Sequence, residues 1–137
     1  MHLAEHWHHC GIAVSDLDAA ISWYEDNLGF RVEKRFRLPD AHLDIANLTS
    51  PSGARIELLQ QETPTPSPNT GRDLLTPGAM HLCFEVDDVE ALTAELKARN
   101  VQITQEPKII APAGVKNCWI ADLEGNPIEF IEPLDRP

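Results

Sequence analysis

The sequence lacks the features that mark membrane and secreted proteins. None of its apolar runs approaches the roughly 18 residues that a membrane-spanning helix needs, and the chain does not open on a basic and apolar leader. It has only three cysteines, Cys10, Cys83 and Cys118, which cannot all pair and show no CxxC spacing. This composition favours a reduced protein of the cytoplasm.

Positive charge is also scarce. The chain has 11 Lys and Arg against 22 Asp and Glu, for a formal net charge of −11. The few cations are scattered, which argues against a nucleic acid or an anionic membrane as a partner. What the sequence does have is 42% apolar residues. We therefore expect a single domain over residues 1–137 with its own hydrophobic core.

The predicted elements occur in the same order in each half of the chain. In the first half, a strand over 8–14 leads into a helix that Ser15 or Asp16 caps and Gly29 ends. Strands are predicted next at 30–36, 41–48 and 55–60. In the second half, Asp87 or Asp88 caps a helix, and strands are predicted at 81–86, 101–105, 117–121 and 127–132. The proline-rich stretch 62–78 indicates a linker between modules 7–61 and 79–132.

One constant shift in residue number, which we call the repeat shift, aligns the two halves without a gap. It superimposes these pairs: His9 on His81, Asp16 on Asp88, Gly53 on Gly125, Ile56 on Ile128 and Glu57 on Glu129. Helix caps and apolar strands recur in many proteins, but one register that also matches a glycine, an isoleucine and a glutamate far downstream indicates a repeat. We interpret the chain as two copies of a strand–helix–strand–strand–strand unit, which is an α+β fold.

Strand alternation places the repeated histidines and glutamates on one face of each module. In the first strand, the apolar residues on the parity of Ile12 must lie under the helix, so His9 points to the opposite face. His81 follows the same pattern in the second module. Glu57 and Glu129 alternate with buried apolar residues in the last strand of each unit. Neighbouring His8 has the wrong parity.

These four side chains form a set suited to a divalent metal ion. If the modules pair around a pseudo-twofold axis, His9, Glu57, His81 and Glu129 converge, and two carboxylates facing each other require a cation between them. Two imidazoles and two carboxylates suit Ni, Co, Mn, Zn, Fe or Mg. An octahedral ion would keep two positions open for water or substrate. We predict one divalent ion per site.

Five segments resemble the vicinal oxygen chelate superfamily, which includes glyoxalase I, methylmalonyl-CoA epimerase, extradiol dioxygenases, and fosfomycin and bleomycin resistance proteins. The resemblance extends over residues 7–132. The segments are HCGIAVSDL at 9–17, WY through LGF at 23–30, IELL at 56–59, HLCFEVDD at 81–88 and DLEGNPIE at 122–129. The resemblance implies two βαβββ modules whose eight strands curl into an open half-barrel, with the helices on the outer face.

The resemblance also implies the role of each predicted ligand. His9, Glu57, His81 and Glu129 match the four ligand positions of the family. Glyoxalase I and the epimerase use all four, whereas dioxygenases and fosfomycin enzymes use three. Because Glu57 is a competent ligand at the second position, the sequence favours a lyase, isomerase or epimerase that transfers a proton next to a metal-bound carbonyl. The alternatives are an extradiol-type dioxygenase and a non-catalytic small-molecule or antibiotic binding protein.

The remaining site predictions concern the base and the substrate. Glu129 is the favoured base and Glu57 the second candidate, with His42 and Asp44 as alternatives on a strand expected to face the cavity. Two cations are expected to hold a small substrate, and one thiol to line the cavity; these residues are Arg55, Lys116 and Cys83. Bacterial glyoxalase I typically carries an arginine four residues after the first ligand, where this chain has Ala13. Conventional glutathione recognition is therefore not expected.

A homodimer is the expected assembly. An open sheet leaves strand edges exposed, and such edges pair readily with another copy. Members of the superfamily commonly dimerise, sometimes by exchanging modules.

Overall fold

Five elements in each half of the chain form two compact units, Met1–Ser67 and Pro68–Pro137. The computed structural model describes residues 4–64 and 77–135. Most of the linker predicted over 62–78 lies outside these residues. Each unit is a βαβββ module with its own four-stranded sheet. The predicted α+β repeat is thereby confirmed.

The first module contains one main helix and four strands. In chain order these are β1 (Cys10–Ala13), α1 (Leu17–Leu28), β2 (Arg31–Leu38), β3 (Leu43–Thr49) and β4 (Arg55–Gln61). The strand order in the sheet is β1-β4-β3-β2. β1 runs parallel to β4, and the other neighbours are antiparallel.

The second module repeats this arrangement. Its elements are β5 (Leu82–Glu85), α2 (Val89–Ala98), β6 (Gln102–Ile110), β7 (Val115–Ala121) and β8 (Pro127–Pro133). The strand order is β5-β8-β7-β6, again with one parallel pair, β5 with β8. The repeat shift found in the sequence carries the starts of β1, α1, β3 and β4 onto those of β5, α2, β7 and β8.

Capping side chains and left-handed residues determine where each helix begins and ends. Of the two candidate caps in each module, Asp16 and Asp88 accept a hydrogen bond from the backbone N–H three residues later. Gly29 ends α1 in the left-handed conformation, with φ of 72°. The second module has no glycine there. Asn100 takes a left-handed conformation instead, with φ of 60°, and α2 is the shorter helix.

The strand boundaries differ from the prediction by one or two residues in most places, and by more at the end of β6. A short 3₁₀ turn at Pro39–Ala41 delays β3 until Leu43, and its counterpart at Ala111–Ala113 precedes a β7 that begins at Val115. β6 continues to Ile110 although it contains Pro107. This strand lies at the end of the sheet and its register shifts between Gln105 and Lys108. An edge strand tolerates a proline because one row of its N–H groups has no partner.

The core of each module lies between the helix and one face of the sheet. In the first module, Leu17 and Tyr24 of α1 are buried together with Leu48 and Leu58 of the sheet. In the second, Val89 and Leu96 of α2 are buried with Ile120 and Ile128. The opposite face of each sheet therefore carries the residues of alternate parity, as predicted. No helix among the described residues is long and apolar enough to cross a membrane.

Candidate functional site

His9 and Glu57 come together on the sheet face opposite α1. Glu57 lies on β4 beside Gly11 of β1, and His9 immediately precedes that strand. The Nε2 atom of His9 is 3.6 Å from Oε1 of Glu57. The imidazole is 35% exposed and the carboxylate 19%. The pair is thus half-buried but open to a ligand.

His81 and Glu129 form the same arrangement in the second module. Glu129 lies on β8 beside Cys83 of β5, and His81 immediately precedes β5. His81 Nε2 is 3.4 Å from Glu129 Oε2, with exposures of 38% and 17%. Two stretches of chain related by the repeat shift therefore build one local geometry. Both predicted histidine–glutamate pairs are close within their modules.

The two distances are longer than a good hydrogen bond and suit a shared ion. A hydrogen bond between nitrogen and oxygen is typically about 2.7–3.2 Å long. Two ligand atoms that bind one divalent ion at about 2.1 Å are about 3.0–3.4 Å apart in octahedral or tetrahedral geometry. The separations of 3.4 and 3.6 Å are near that range. Each pair fits two adjacent ligands of a metal.

Each pair supplies two ligands and not a complete site. Among residues 4–64 and 77–135, no group of three or more His, Cys, Asp or Glu side chains forms a metal-binding cluster. A full coordination sphere therefore needs more than one pair, or a pair together with water and substrate. The donor chemistry fits a borderline or hard divalent ion, because each pair joins an imidazole nitrogen to a carboxylate oxygen.

Two amides extend the second pair. Asn117 of β7 donates from Nδ2 to Glu129 Oε1 at 2.8 Å, and Gln105 of β6 donates from Nε2 to Asn117 Oδ1 at 2.9 Å. The Asn117 side chain is buried. Neither residue was predicted as functional from the sequence. Asn117 has the same strand parity as Trp119, which pairs with Glu129 across β7 and β8, and this parity was the available signal.

An aromatic ring and a thiol complete the surroundings of the second pair. The Trp119 ring meets the His81 imidazole edge to face, with 4.7 Å between their centroids. Cys83, a predicted cavity-lining residue, lies beside Glu129. Local desolvation and the Glu129 carboxylate, which accepts a hydrogen bond from the thiol, raise the pKa of Cys83 to about 12. The thiol is therefore protonated at neutral pH.

The first module surrounds its pair differently. The polar residue across from Glu57 is Asn47 of β3, but its Oδ1 atom is buried without a hydrogen-bond partner. Glu57 has His9 as its single polar side-chain contact in the part of the chain that the structure describes. His9 in turn has its Nδ1 atom 2.7 Å from Nδ1 of His8. His8 thus contacts a predicted ligand although its parity excludes it from the set.

The predicted substrate residues of the first module divide between two locations. Arg55 has the strand parity of Glu57, as expected, and its Nε is 3.5 Å from Oε2 of Glu33. His42 lies in the turn before β3 with φ of 54°. Its Nδ1 is 2.9 Å from Glu62 Oε2, at a shallow depression lined by residues 41–42 and 61–63. His42 is exposed.

Asp44 and Lys116 lie on the helix-bearing faces of their sheets, opposite the faces that carry Glu57 and Glu129. Asp44 pairs with Gln60, three residues from Glu57, so it has the opposite strand parity, and it binds Arg37 at 2.8 Å. Lys116 lies 3.8 Å from both Glu90 and Glu132 at the start of α2. The expectation that Asp44 faces the same side as Glu57 does not hold. Substrate binding by Asp44 and Lys116 stays a prediction without support from their placement.

The fold and the histidine–glutamate pairs define the chain as a small two-module protein of the glyoxalase type. The model of the Glyoxalase/Bleomycin resistance protein/Dioxygenase superfamily matches residues 6–130, and the chain belongs to this superfamily. Among solved structures, that of SMU.1112c has a TM-score of 0.80 and 27% sequence identity, and the match covers 93% of this chain and 98% of the other.

The curated relatives include two kinds of enzyme. Ethylmalonyl-CoA/methylmalonyl-CoA epimerase of Cereibacter sphaeroides is 33% identical over 93% of this chain and 87% of its own length. Lactoylglutathione lyase of Haemophilus influenzae is 30% identical over 90% of each chain. The mitochondrial methylmalonyl-CoA epimerase of Mus musculus is 30% identical over 93% of this chain, which spans 65% of that relative's length.

Proposed function

We propose that this protein is a divalent-metal-dependent enzyme that transfers a proton next to the carbonyl of a small substrate, as an epimerase or a glyoxalase-like lyase or isomerase. The observation that carries the proposal is the repeated pair. Each module brings an imidazole nitrogen and a carboxylate oxygen to 3.4–3.6 Å without a direct hydrogen bond between them. An imidazole nitrogen and a carboxylate oxygen at this separation match the donor set of a borderline or hard divalent ion.

In this proposal His9, Glu57, His81 and Glu129 hold one ion between two modules. Held by these residues, a divalent ion would supply Lewis-acid polarisation of a substrate carbonyl, which would make the adjacent C–H more acidic. The modules contribute two ligands each, and this division applies whether they belong to one chain or to two. We also propose that the protein is located in the cytoplasm.

The carboxylates are the groups that move the proton. Glu129 remains the favoured base: Asn117 holds its Oε1 atom, and Oε2, the oxygen near His81, would accept the proton by loosening from the ion. A fixed carboxylate loses little freedom when it receives a proton, which favours reaction. Glu57 is the second candidate. An epimerase returns the proton to the opposite side of the carbon, and a second carboxylate serves that step.

The activities named for the relatives determine which substrates should be tested. Of the three relatives described above, two are acyl-CoA epimerases and one is a lactoylglutathione lyase. The panel therefore comprises methylmalonyl-CoA, the hemithioacetal of methylglyoxal with several thiols, and catechol with oxygen. Turnover of either of the first two supports proton transfer. Oxygen consumption with catechol would favour the dioxygenase, and a metal-free protein that binds small molecules would favour the binding protein.

The first prediction concerns metal content. After reconstitution, elemental analysis should give about one divalent ion per pair of modules. His81→Ala and His9→Ala should each lose tight metal binding, because each removes one imidazole from a four-ligand set. His6→Ala is the matched control, since His6 is exposed and lies outside both pairs. Undiminished metal in His81→Ala would show that the ligand assignment is wrong.

A further inference from the structure

Glu57 and Glu129 occupy equivalent positions but are not equally supported. Glu129 accepts a hydrogen bond of 2.8 Å from Asn117, whereas Glu57 has His9 as its single polar side-chain contact among the described residues. The repeat shift places Ile45 where the second module has Asn117, and Glu33 where it has Gln105. Neither can supply the amide pair. The support of Glu129 is thus specific to the second module.

The direction of the hydrogen bonds fixes which end of Asn117 faces the carboxylate. The Glu129 carboxylate can only accept, so the Nδ2 donor of Asn117 faces it. Oδ1 of Asn117 is then the end that accepts from Gln105 Nε2, at 2.9 Å. Asn117 is 6% exposed, so water does not compete freely for this amide. Glu129 is held at Oε1 while Oε2 lies 3.4 Å from His81 Nε2.

We infer that Asn117, oriented by Gln105, is a positioning residue that fixes Glu129 for metal ligation and proton transfer and makes the His81–Glu129 pair the better organised half of the site. The inference rests on the proposed function for its consequences, but the hydrogen bonds exist without the ion. Outer groups that orient a metal ligand typically change metal affinity by about 10–100-fold when they are removed. Among residues 4–64 of the first module, no amide side chain forms a corresponding hydrogen bond to Glu57.

The test compares two asparagines that each lie on the sheet face of their module's glutamate. Asn117→Leu keeps the branching and the number of side-chain heavy atoms and removes the donor, and Asn47→Leu makes the same change at an asparagine that pairs with Glu57 but does not bond to it. Affinity for Co²⁺ is measured by competition with a chelating dye. We expect about a 10-fold or greater loss for Asn117→Leu, following the typical range, a smaller loss in the same direction for Gln105→Leu, and no more than about a twofold change for Asn47→Leu.

Folding and chemistry are separated by two further measurements. Urea unfolding of the metal-free variants identifies any general loss of stability, which would not by itself change Co²⁺ affinity in the folded fraction. Once a substrate is identified, kcat should fall in Asn117→Leu at unchanged KM, since Asn117 is buried and acts through its hydrogen bond to Glu129. A folded Asn117→Leu protein that binds Co²⁺ as tightly as the wild type would overturn the inference.

A measurement on the metal-free protein tests this inference independently of the proposed function. In the apo protein, the Asn117 side-chain amide should exchange slowly with solvent by NMR, and the protection should be lost in Glu129→Leu and retained in Glu57→Leu. If the wild type binds no divalent ion, the proposed function fails, and amide exchange alone decides the positioning role. Equal exchange in all three proteins would contradict it.

Discussion

At the scale of single residues, Ala13 lies where the resemblance to bacterial glyoxalase I predicts an arginine. Ala13 is exposed on β1 and shares the strand parity of His9. Glutathione carries carboxylates, which proteins usually meet with guanidinium groups. Arg55, the cation on the Glu57 face of β4, already has Glu33 3.5 Å away. The net charge of −11 adds long-range repulsion.

We therefore expect little turnover of the methylglyoxal–glutathione hemithioacetal, below about 10 per second, the typical kcat of an enzyme. Ala13→Arg should lower KM for this substrate by about tenfold, corresponding to one charge-assisted hydrogen bond. Ala54→Arg is the control, because it adds the same charge at an exposed loop residue. Rapid turnover by the wild type would contradict the prediction and make Arg55 the next residue to change.

Strand parity and one register shift were sufficient to predict the two histidine–glutamate pairs, because both depend on local geometry and repetition. They were not sufficient for Asn117 or Gln105. Those residues break the repeat, with Ile45 and Glu33 at the equivalent positions. A hydrogen bond between side chains on adjacent strands also depends on pairing register, and β6 has register shifts on both sides of Gln105. The repeat predicts what the modules share and not what distinguishes them.

At the scale of elements, the first residue of each helix donates its backbone N–H to a side chain on the last strand of its module. This side chain is a second acceptor besides the aspartate cap. Gln60 Oε1 accepts from Leu17 N at 2.6 Å, and Glu132 Oε2 accepts from Val89 N at 3.0 Å. The repeat shift superimposes these two side chains as well. Lys116 lies 3.8 Å from Glu132, which accounts for its place on the helix-bearing face. The first N–H groups of a helix have no partner within the helix and need such acceptors.

Replacement of Glu132 tests this element. Glu132→Ala should lower the free energy of unfolding by about 1 kcal/mol, as for the loss of a capping acceptor. Glu132→Gln should cost less than half of that, because it retains the acceptor and copies the solution of the first module. Urea unfolding of both variants gives the comparison. Equal destabilisation by the two substitutions would mean that charge, and not the hydrogen bond to Val89, is what matters.

The order and type of the elements were predictable, because helix caps and strand alternation are local signals. The extended ends of the strands were not. The pattern of β6 is interrupted by Pro107, and its continuation depends on pairing with β7 at the sheet edge. The second module has Val101 at the position equivalent to Gly29, which follows α1. The left-handed residue after α2 is therefore Asn100, one position earlier. Tertiary pairing thus decided what local signals left open.

At the scale of the whole molecule, each module ends its sheet in two outer strands, β1 with β2 and β5 with β6. Outer strands present unpaired backbone groups that favour association. Large apolar side chains are exposed next to the first strand of each module: Trp7 is 80% exposed and Met80 is 73%. A tryptophan that is exposed in a single chain is a common anchor of protein interfaces.

These features predict a homodimer, with Trp7 in the contact between chains. Light scattering at micromolar concentration should give about twice the chain mass of 15.3 kDa. Trp7→Glu should weaken the dimer, because it replaces an apolar anchor with a charge that is costly to bury. Leu123→Glu, at a half-exposed loop residue between β7 and β8, is the control and should leave the mass unchanged. A single-chain mass for the wild type would contradict the predicted assembly, whereas an unchanged dimer in Trp7→Glu would remove Trp7 from the interface.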